Sequence, residues 1–150
     1  MTLNPWDIRA ALFARHAQHV VLIHFPIALF LAGVALDLAA TWTRRKDLAV
    51  AAYYNLAFAA LCALPAAATG LLAWQWDLEG RRLKGILLFH LLSGGAALVL
   101  MLAVWRVHLA ARRRPDQPFP AFRWPFQAVA VALVMVTGHL GGFLSGVNHP

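Results

Sequence analysis

The chain has 150 residues, of which 61% are hydrophobic and only 13% carry a charge. A soluble domain is nearer half apolar and a quarter charged, so this composition is typical of a membrane protein. A formal net charge of +7 would suggest a nucleic-acid partner in a soluble protein. The arginines here fall between apolar runs, which indicates membrane topology and contact with lipid headgroups, and argues against nucleic acid.

Residues 1–19 mix apolar side chains such as Trp6 and Phe13 with charged ones. This pattern predicts a short amphipathic helix that lies at the membrane interface rather than crossing it. A secretory signal is the rival interpretation. The apolar run that follows is too long for one, contains His24 and Pro26, and lacks a small-residue cleavage site, so we expect the segment to remain in the mature protein.

Four apolar runs follow, and each reaches the roughly 20 residues that a helix needs to cross a hydrocarbon core. They cover about residues 20–42, 48–74, 83–105 and 126–147. Tryptophans stand at or beside the boundaries of the runs, as in an aromatic belt at headgroup depth: Trp42, Trp74, Trp76, Trp105 and Trp124. The sequence therefore predicts an all-α protein, a four-helix transmembrane bundle over residues 20–150.

The distribution of lysine and arginine predicts the orientation of the bundle. The side that holds the 43–47 and 106–125 connections carries eight of them: Arg44, Arg45, Lys46, Arg106, Arg112, Arg113, Arg114 and Arg123. The opposite side carries five: Arg9, Arg15, Arg81, Arg82 and Lys84. The excess predicts a multi-pass protein of the bacterial inner membrane with both termini in the periplasm, and an irregular cytoplasmic loop over residues 107–125.

Three of the spans carry one histidine each near the outer side. At 1.5 Å per residue, His24 lies roughly 6 Å, His90 roughly 10 Å and His139 roughly 12 Å below the outer boundary. Ionisable groups within spans usually face the bundle interior, and Gly94 and Gly142 leave room beside two of these histidines. We therefore expect His24, His90 and His139 to point into one cavity.

The candidate ligand of that cavity is haem b, held by two imidazoles from different helices, with His90 paired to His139 or His24. Three imidazoles at one depth would also suit copper or zinc. A cofactor-free alternative remains, in which Thr69 and Thr137 satisfy the histidines by hydrogen bonds and the bundle anchors a larger complex. No serine–histidine or paired-carboxylate arrangement is visible, so we expect no independent catalytic activity.

Asp37 is another buried charge in the predicted spans, near the cytoplasmic end of the first. We expect it to pair with Tyr54, Asn55 or Arg106, and structural pairing is favoured over proton transfer. In the second span, Pro65 is expected to bend the helix and free a backbone carbonyl.

Several short stretches of this sequence resemble the motifs of one protein family. They are His24 to Leu29 (HFPIAL), Thr69-Gly70, His90, and Gly138 to Gly142 (GHLGG). Over about residues 19–147 the chain resembles the small bacterial membrane family known as domain of unknown function 2231. The resemblance implies four spans and an electron-transfer setting, because some members neighbour or are fused to cytochrome c or Rieske modules. The chain departs from the family after Gly142, where FLSG stands in place of a more polar ending that contains tyrosine.

The sequence taken together predicts a b-type cytochrome-like subunit for electron transfer, with a histidine-ligated haem near the outer face. Its expected partners are the lipid bilayer and either a periplasmic or membrane redox protein or a larger respiratory or photosynthetic assembly. The alternatives are a cofactor-free anchoring subunit and a copper or zinc site.

Overall fold

A computed structural model describes residues 15–76, 78–80, 82–114 and 116–147. Within them the chain forms four helices and no strand: α1 (Arg15–Thr43), α2 (Lys46–Trp76), α3 (Gly85–Arg113) and α4 (Arg123–Leu144). Each helix is long and apolar enough to cross a membrane, which confirms the predicted all-α transmembrane bundle. The predicted interfacial helix falls mostly on residues 1–14, which lie outside the described part, while residues 15–19 belong to α1.

The third helix is longer than the sequence predicted. It runs on past Trp105 to Arg113, so the loop predicted over residues 107–125 is wrong and shrinks to residues 114–122. Alanine and arginine are good helix formers, and Arg112 and Arg113 in the last turn suit the negative end of the helix dipole. Hydropathy marks where a helix leaves the lipid, and this helix continues beyond that point.

The second helix continues through Pro65, and Thr69 Oγ1 donates to the Pro65 carbonyl oxygen at 3.0 Å. The bend at this proline stays a prediction.

The connection from α1 to α2 is short, and Arg44 within it lies in the left-handed region at a φ of 57°.

Successive helices pack side by side: α1 on α2, α2 on α3, and α3 on α4, whereas α1 and α4 make few contacts. The helices α1 and α2 approach each other closely at Gly33. A Cβ at this position would lie 2.8 Å from Leu56 Cγ and 3.1 Å from the Leu56 backbone nitrogen. A glycine is therefore needed there for the two helices to meet, as small residues commonly allow in membrane bundles.

Buried positions recur every three or four residues along α1, α3 and α4, which is the spacing of one helix face. On α1 they are Pro26, Phe30, Gly33, Asp37 and Ala40. On α3 and α4 they are Ala97, Met101, Val104, His108, Arg123, Gln127, Ala130 and Val134. By contrast, no residue of 18–25, 85–96 or 135–147 is buried.

The core therefore lies toward one end of the bundle. We call this the arginine end, where α1 and α3 finish and α2 and α4 begin. The opposite end, where α1 and α3 begin and α2 and α4 finish, is the histidine end. Toward the histidine end α2 still buries Ala66 and Ala73, whereas α1, α3 and α4 bury no residue of 18–25, 85–96 or 135–147.

Candidate functional site

A buried polar cluster closes the arginine end of the core. The carboxylate of Asp37, on α1, is only 4% exposed and lies among side chains of two other helices. Its Oδ2 accepts a hydrogen bond from Gln127 Nε2 at 2.8 Å and one from Arg123 Nε at 3.2 Å. The Nε2 of His108, on α3, lies 3.3 Å from the same oxygen. Three helices thus converge on one carboxylate oxygen.

The two ring nitrogens of His108 both have neighbours. Its Nδ1–H donates to the carbonyl oxygen of Val104, one turn earlier, at 2.9 Å. Its Nε2 faces Asp37 and also lies 3.5 Å from Gln127 Nε2. The Oε1 of Gln127 is buried without a hydrogen-bond partner among the described residues, which costs roughly 1–3 kcal/mol. The amide is held in this direction because its nitrogen, and not its oxygen, must face the carboxylate.

The guanidinium of Arg123 is held from several sides. Its Nη2 donates to Thr41 Oγ1 at 3.0 Å, which ties α4 to α1 a second time. Its Cζ lies 4.2 Å from the ring centroid of Phe119 and 4.1 Å from that of Trp124, so aromatic faces cover the charge. A buried ion pair of this kind stabilises a fold only when both partners remain, because either charge left alone is strongly unfavourable.

The expected pairing of Asp37 is correct in kind but wrong in its partners. The sequence pointed to Tyr54, Asn55 or Arg106, whereas the carboxylate pairs with His108, Arg123 and Gln127. Asn55 donates instead to the carbonyl oxygen of Ala51, on its own helix. All three true partners were missed for one reason. Hydropathy had put His108 and Arg123 in a loop and Gln127 at its edge. The signal that could have found them is helical spacing: His108 is four residues after Val104, and Gln127 is three before Ala130 and four after Arg123.

At the histidine end, His24 lies on the outside of the bundle. Its side chain is exposed, as are Ala28, Ala32 and Ala35 along the same helix face. Its Nδ1–H donates to Val20 O of its own helix at 2.6 Å. The prediction that His24 faces inward is therefore wrong for the single chain. Pro26, two residues later, lies on the face that packs against the neighbouring helix.

His90 is half-buried and joins α3 to α4. Its Nδ1–H donates to the carbonyl oxygen of Thr137 at 3.0 Å. The glycine one turn further along α4 makes room for the ring, since a Cβ on Gly141 would stand 3.2 Å from His90 Cε1. Gly94 lies in the same helix contact, where an added Cβ would stand at an ordinary van der Waals distance, 3.4 Å, from Thr137 Cγ2. Gly94 thus serves helix packing here.

His139 lies on the face of α4 turned away from this contact. Residues advance about 100° each around a helix, so His139 is roughly 200° from both Thr137 and Gly141, which touch His90. Its side chain is exposed, and its ring packs edge-on against Phe143 with centroids 5.0 Å apart. Gly142, also predicted at the site, is half-buried and accepts a bond from Ser145 Oγ through its carbonyl.

The three predicted ligands are therefore not gathered within one chain. Among the described residues, no group of three or more histidine, cysteine, aspartate or glutamate side chains could hold a metal ion. His90, on α3, contacts one face of α4, and His139 projects from the opposite face of α4, so the two rings do not fit the two sides of one porphyrin. His24 is on a different helix and points away from the core. A haem axial pair formed by one chain does not fit this arrangement.

A fourth histidine, His19, does meet another helix. Its Nδ1 lies 3.1 Å from Ala66 O and 3.2 Å from Thr69 Oγ1, both on α2. Gly70 gives it space, because a Cβ there would stand 2.8 Å from His19 Cε1. The sequence had named Thr69 as a histidine partner but had placed His19 in the interfacial segment of residues 1–19, so this contact was missed. Together with His90, it shows histidines acting as interhelical hydrogen-bonding groups.

Comparison with known proteins gives the same coarse picture. A family model described as "Predicted membrane protein (DUF2231)" matches residues 15–148. No curated protein and no solved structure matches the chain. Since the matched region spans most of the sequence and all four helices, the chain belongs to the DUF2231 family of membrane proteins.

Proposed function

We propose that this protein is a structural subunit of a larger membrane assembly, docked to its partner through the histidine end. One observation carries the proposal. The helices are packed around a core at the arginine end, yet residues 18–25, 85–96 and 135–147 include none that is buried. At this end α2 alone keeps buried residues, Ala66 and Ala73, so the other three helices offer surface that another protein can cover.

The outward-facing His24 favours a protein partner over lipid at this surface. His24 lies six residues into the span that begins at Gln18, roughly 9 Å along the helix. Its Nε2 has no hydrogen-bond partner among the described residues, and an unpaired polar group is unfavourable in hydrocarbon. The exposed alanines on its face, Ala28 and Ala32, allow a second helix to approach closely.

Site-specific photo-crosslinking in intact membranes tests the proposal. A photoreactive residue at Ala28 or Met135, both exposed near the histidine end, is expected to capture a discrete protein partner. The matched controls are Leu38 and Val129, which are exposed on the same two helices near the arginine end. Crosslinks to lipid alone at all four positions would count against a docked partner.

Electron transfer with haem b is the second candidate, and it requires a second chain. The specific observation in its favour is the hydrogen bond from His24 Nδ1–H to Val20 O, which leaves Nε2 directed away from the helix as a possible axial ligand. The other axial imidazole would come from another copy or from a partner. The same arrangement applies to copper or zinc between chains.

A reduced-minus-oxidised absorption spectrum of the intact assembly, together with metal analysis, separates the two candidates. The structural subunit predicts no Soret band that depends on His24. A haem band that disappears in His24→Ala, while the helical content stays unchanged, would make electron transfer the better account. The His90→Ala variant serves as the control, since that ring is engaged within the bundle by Thr137.

A further inference from the structure

We propose that a groove at the arginine end, between α3 and the connection that follows it, binds an anionic phospholipid. One wall is a single face of α3, whose lining residues are spaced by three and four: Val107, Ala110 and Arg114. The other wall comes from the connection to α4: Gln117, Pro118 and Pro120. The groove has a volume of about 200 Å³. A cavity of about 150 Å³ already holds benzene, so this space admits one headgroup with the start of a chain and is too small for a porphyrin.

The groove lies at the depth of the lipid headgroups. The helix α3 has 29 residues, so at 1.5 Å per residue it is roughly 43 Å long. The hydrocarbon core is about 30 Å thick, and the bilayer with its headgroup layers is about 40–45 Å thick. The charged Lys84 precedes α3, so the helix enters the core just after it and leaves the core about 20 residues later, beside Trp105. Val107 and Arg114 therefore lie in the headgroup layer.

The polarity of the groove runs in the same direction as that of a phospholipid. Val107 comes seven residues before Arg114, so its end of the groove is apolar and lies roughly 10 Å nearer the hydrocarbon core. Arg114 stands at the outer end, and Gln117 is beside it, because the Gln117 backbone N–H donates to Arg114 O at 3.1 Å. Neither of these two side chains has a hydrogen bond or an ion pair with another described residue. Their donors are therefore available to phosphate oxygens, which a guanidinium can bind through two parallel hydrogen bonds.

The wall formed by the connection is anchored to the helices. Phe119 stands between the two prolines of the wall and packs edge-on against His108, with ring centroids 4.9 Å apart. The guanidinium of Arg123 covers the same phenylalanine ring, and the Arg123 backbone N–H donates to Pro120 O at 3.2 Å. Proline also has a fixed φ, so Pro118 and Pro120 limit the conformations of this wall. The groove is thus preformed, which reduces the ordering that lipid binding requires.

The charges around the groove favour an anion. Arg112 and Arg113 precede Arg114, whereas Asp116 is the only acidic residue of the 114–122 connection. The Arg112 guanidinium lies 4.7 Å from the ring centroid of Tyr53, on α2, so Arg114 is the cation that lines the groove. Asp116 makes no ion pair with Arg114 among the described residues. The carbonyl end of α3 carries roughly half a negative charge, which the three arginines outweigh. Basic residues at this depth attract anionic headgroups.

Native mass spectrometry of the purified full chain in a mild detergent, titrated with dioleoylphosphatidylglycerol, tests the proposal. Dioleoylphosphatidylcholine has the same chains and no net charge, so it should bind the wild-type protein more weakly. Arg114→Gln should weaken the binding of phosphatidylglycerol about fivefold, the usual effect of one basic residue near an anionic lipid surface. Ala110→Phe fills the groove without changing the charge and should also weaken this binding. Because the comparison of the two lipids uses the wild-type chain, it tests the proposal even where a variant fails to fold.

Each variant has a matched control. Arg113→Gln removes the same charge from the neighbouring residue, which does not line the groove, and should keep the wild-type affinity. Ala96→Phe enlarges an exposed alanine of α3 outside the groove and should also bind as the wild type does. Equal losses in Arg113→Gln and Arg114→Gln would show a diffuse effect of charge and overturn the site, and so would equal binding of the two lipids. Displacement of the lipid by sn-glycerol 3-phosphate, which has the charge but no chains, would show a site for free anions and would also overturn the proposal.

Discussion

Arg123 on α4 donates from Nε to Oδ2 of Asp37 on α1 across 3.2 Å, and this bond joins the two helices of the bundle that otherwise touch little. Both side chains are buried, at 7% and 4% exposure. The bundle is therefore closed between its first and last helices by polar contacts at one end. At the opposite end the hydrogen bonds of His19 and His90 join α1 to α2 and α3 to α4.

The buried pair predicts a large stability effect. Asp37→Ala should lower the free energy of unfolding by about 3–5 kcal/mol, because Arg123 is then left buried without its counter-ion. The measurement is unfolding in detergent micelles followed by circular dichroism.

The matched control for this prediction is Asp47→Ala. Asp47 pairs with Arg45 on the surface, where it raises the pKa of the guanidinium through a hydrogen bond and its charge. Both side chains are exposed, so solvent screens the pair and no measurable change is expected. Equal losses for Asp37→Ala and Asp47→Ala would mean that the cluster is not buried in the membrane-embedded protein.

The approach of α1 to α2 predicts opposite outcomes for two glycines. In Gly33→Ala the new Cβ meets Leu56, including its backbone nitrogen at 3.1 Å, so the helices must separate at a cost of about 1–3 kcal/mol. In Gly95→Ala the Cβ meets nothing within 4 Å, so only the helix propensity of alanine is gained. Thermal unfolding of both variants checks this, and an equally stable Gly33→Ala protein would contradict the described packing.

Replacing His90 and replacing His24 should change the stability of the bundle by different amounts. His90→Ala removes the bond to Thr137 and should destabilise the bundle by about 0.6 kcal/mol, the average for interhelical hydrogen bonds in membranes, and by at most about 1.7 kcal/mol. His24→Ala removes only a bond within its own helix and should leave the isolated chain unchanged. The comparison is made by unfolding in detergent. An identical large loss for both would indicate that the two rings act in one site.

Hydropathy and helix length are enough to find the four helices in this sequence. They are not enough to say how each helix is rotated about its axis, because alanine and glycine are equally compatible with lipid and with a neighbouring helix. His24 was predicted to face inward because ionisable groups in spans usually do, but the face of α1 that carries the bulky Phe30 fills the core. Small apolar residues can face lipid without penalty, so their positions do not show which face of a helix is buried.

The polar cluster around Asp37 was missed in the sequence for a different reason. Arg123 looked like a loop residue that sets topology, and His108 followed a tryptophan that marks a membrane boundary. Their pairing with Asp37 depends on α3 extending to Arg113, which a hydropathy window does not measure. The prediction that Asp37 is buried and paired is correct.

The orientation of the bundle stays a prediction from its basic residues. Both termini are expected on the periplasmic side, and the 114–122 connection on the cytoplasmic side. Single cysteines at positions 116 and 148, in a variant that lacks Cys62, can be labelled with an impermeant reagent in intact cells. Only position 148 should react from outside, and labelling of position 116 would reverse the orientation.

The most direct test of the docked-subunit account is native mass spectrometry of the protein released from its own membrane in a mild detergent. We expect the wild-type chain, of 16.4 kDa, to appear within a larger assembly. The His24→Ala and Ala28→Leu variants should release the single chain while remaining folded, and Leu38→Ala should leave the assembly intact. A wild-type protein that appears only as a folded single chain of 16.4 kDa, with no protein partner, would contradict the account.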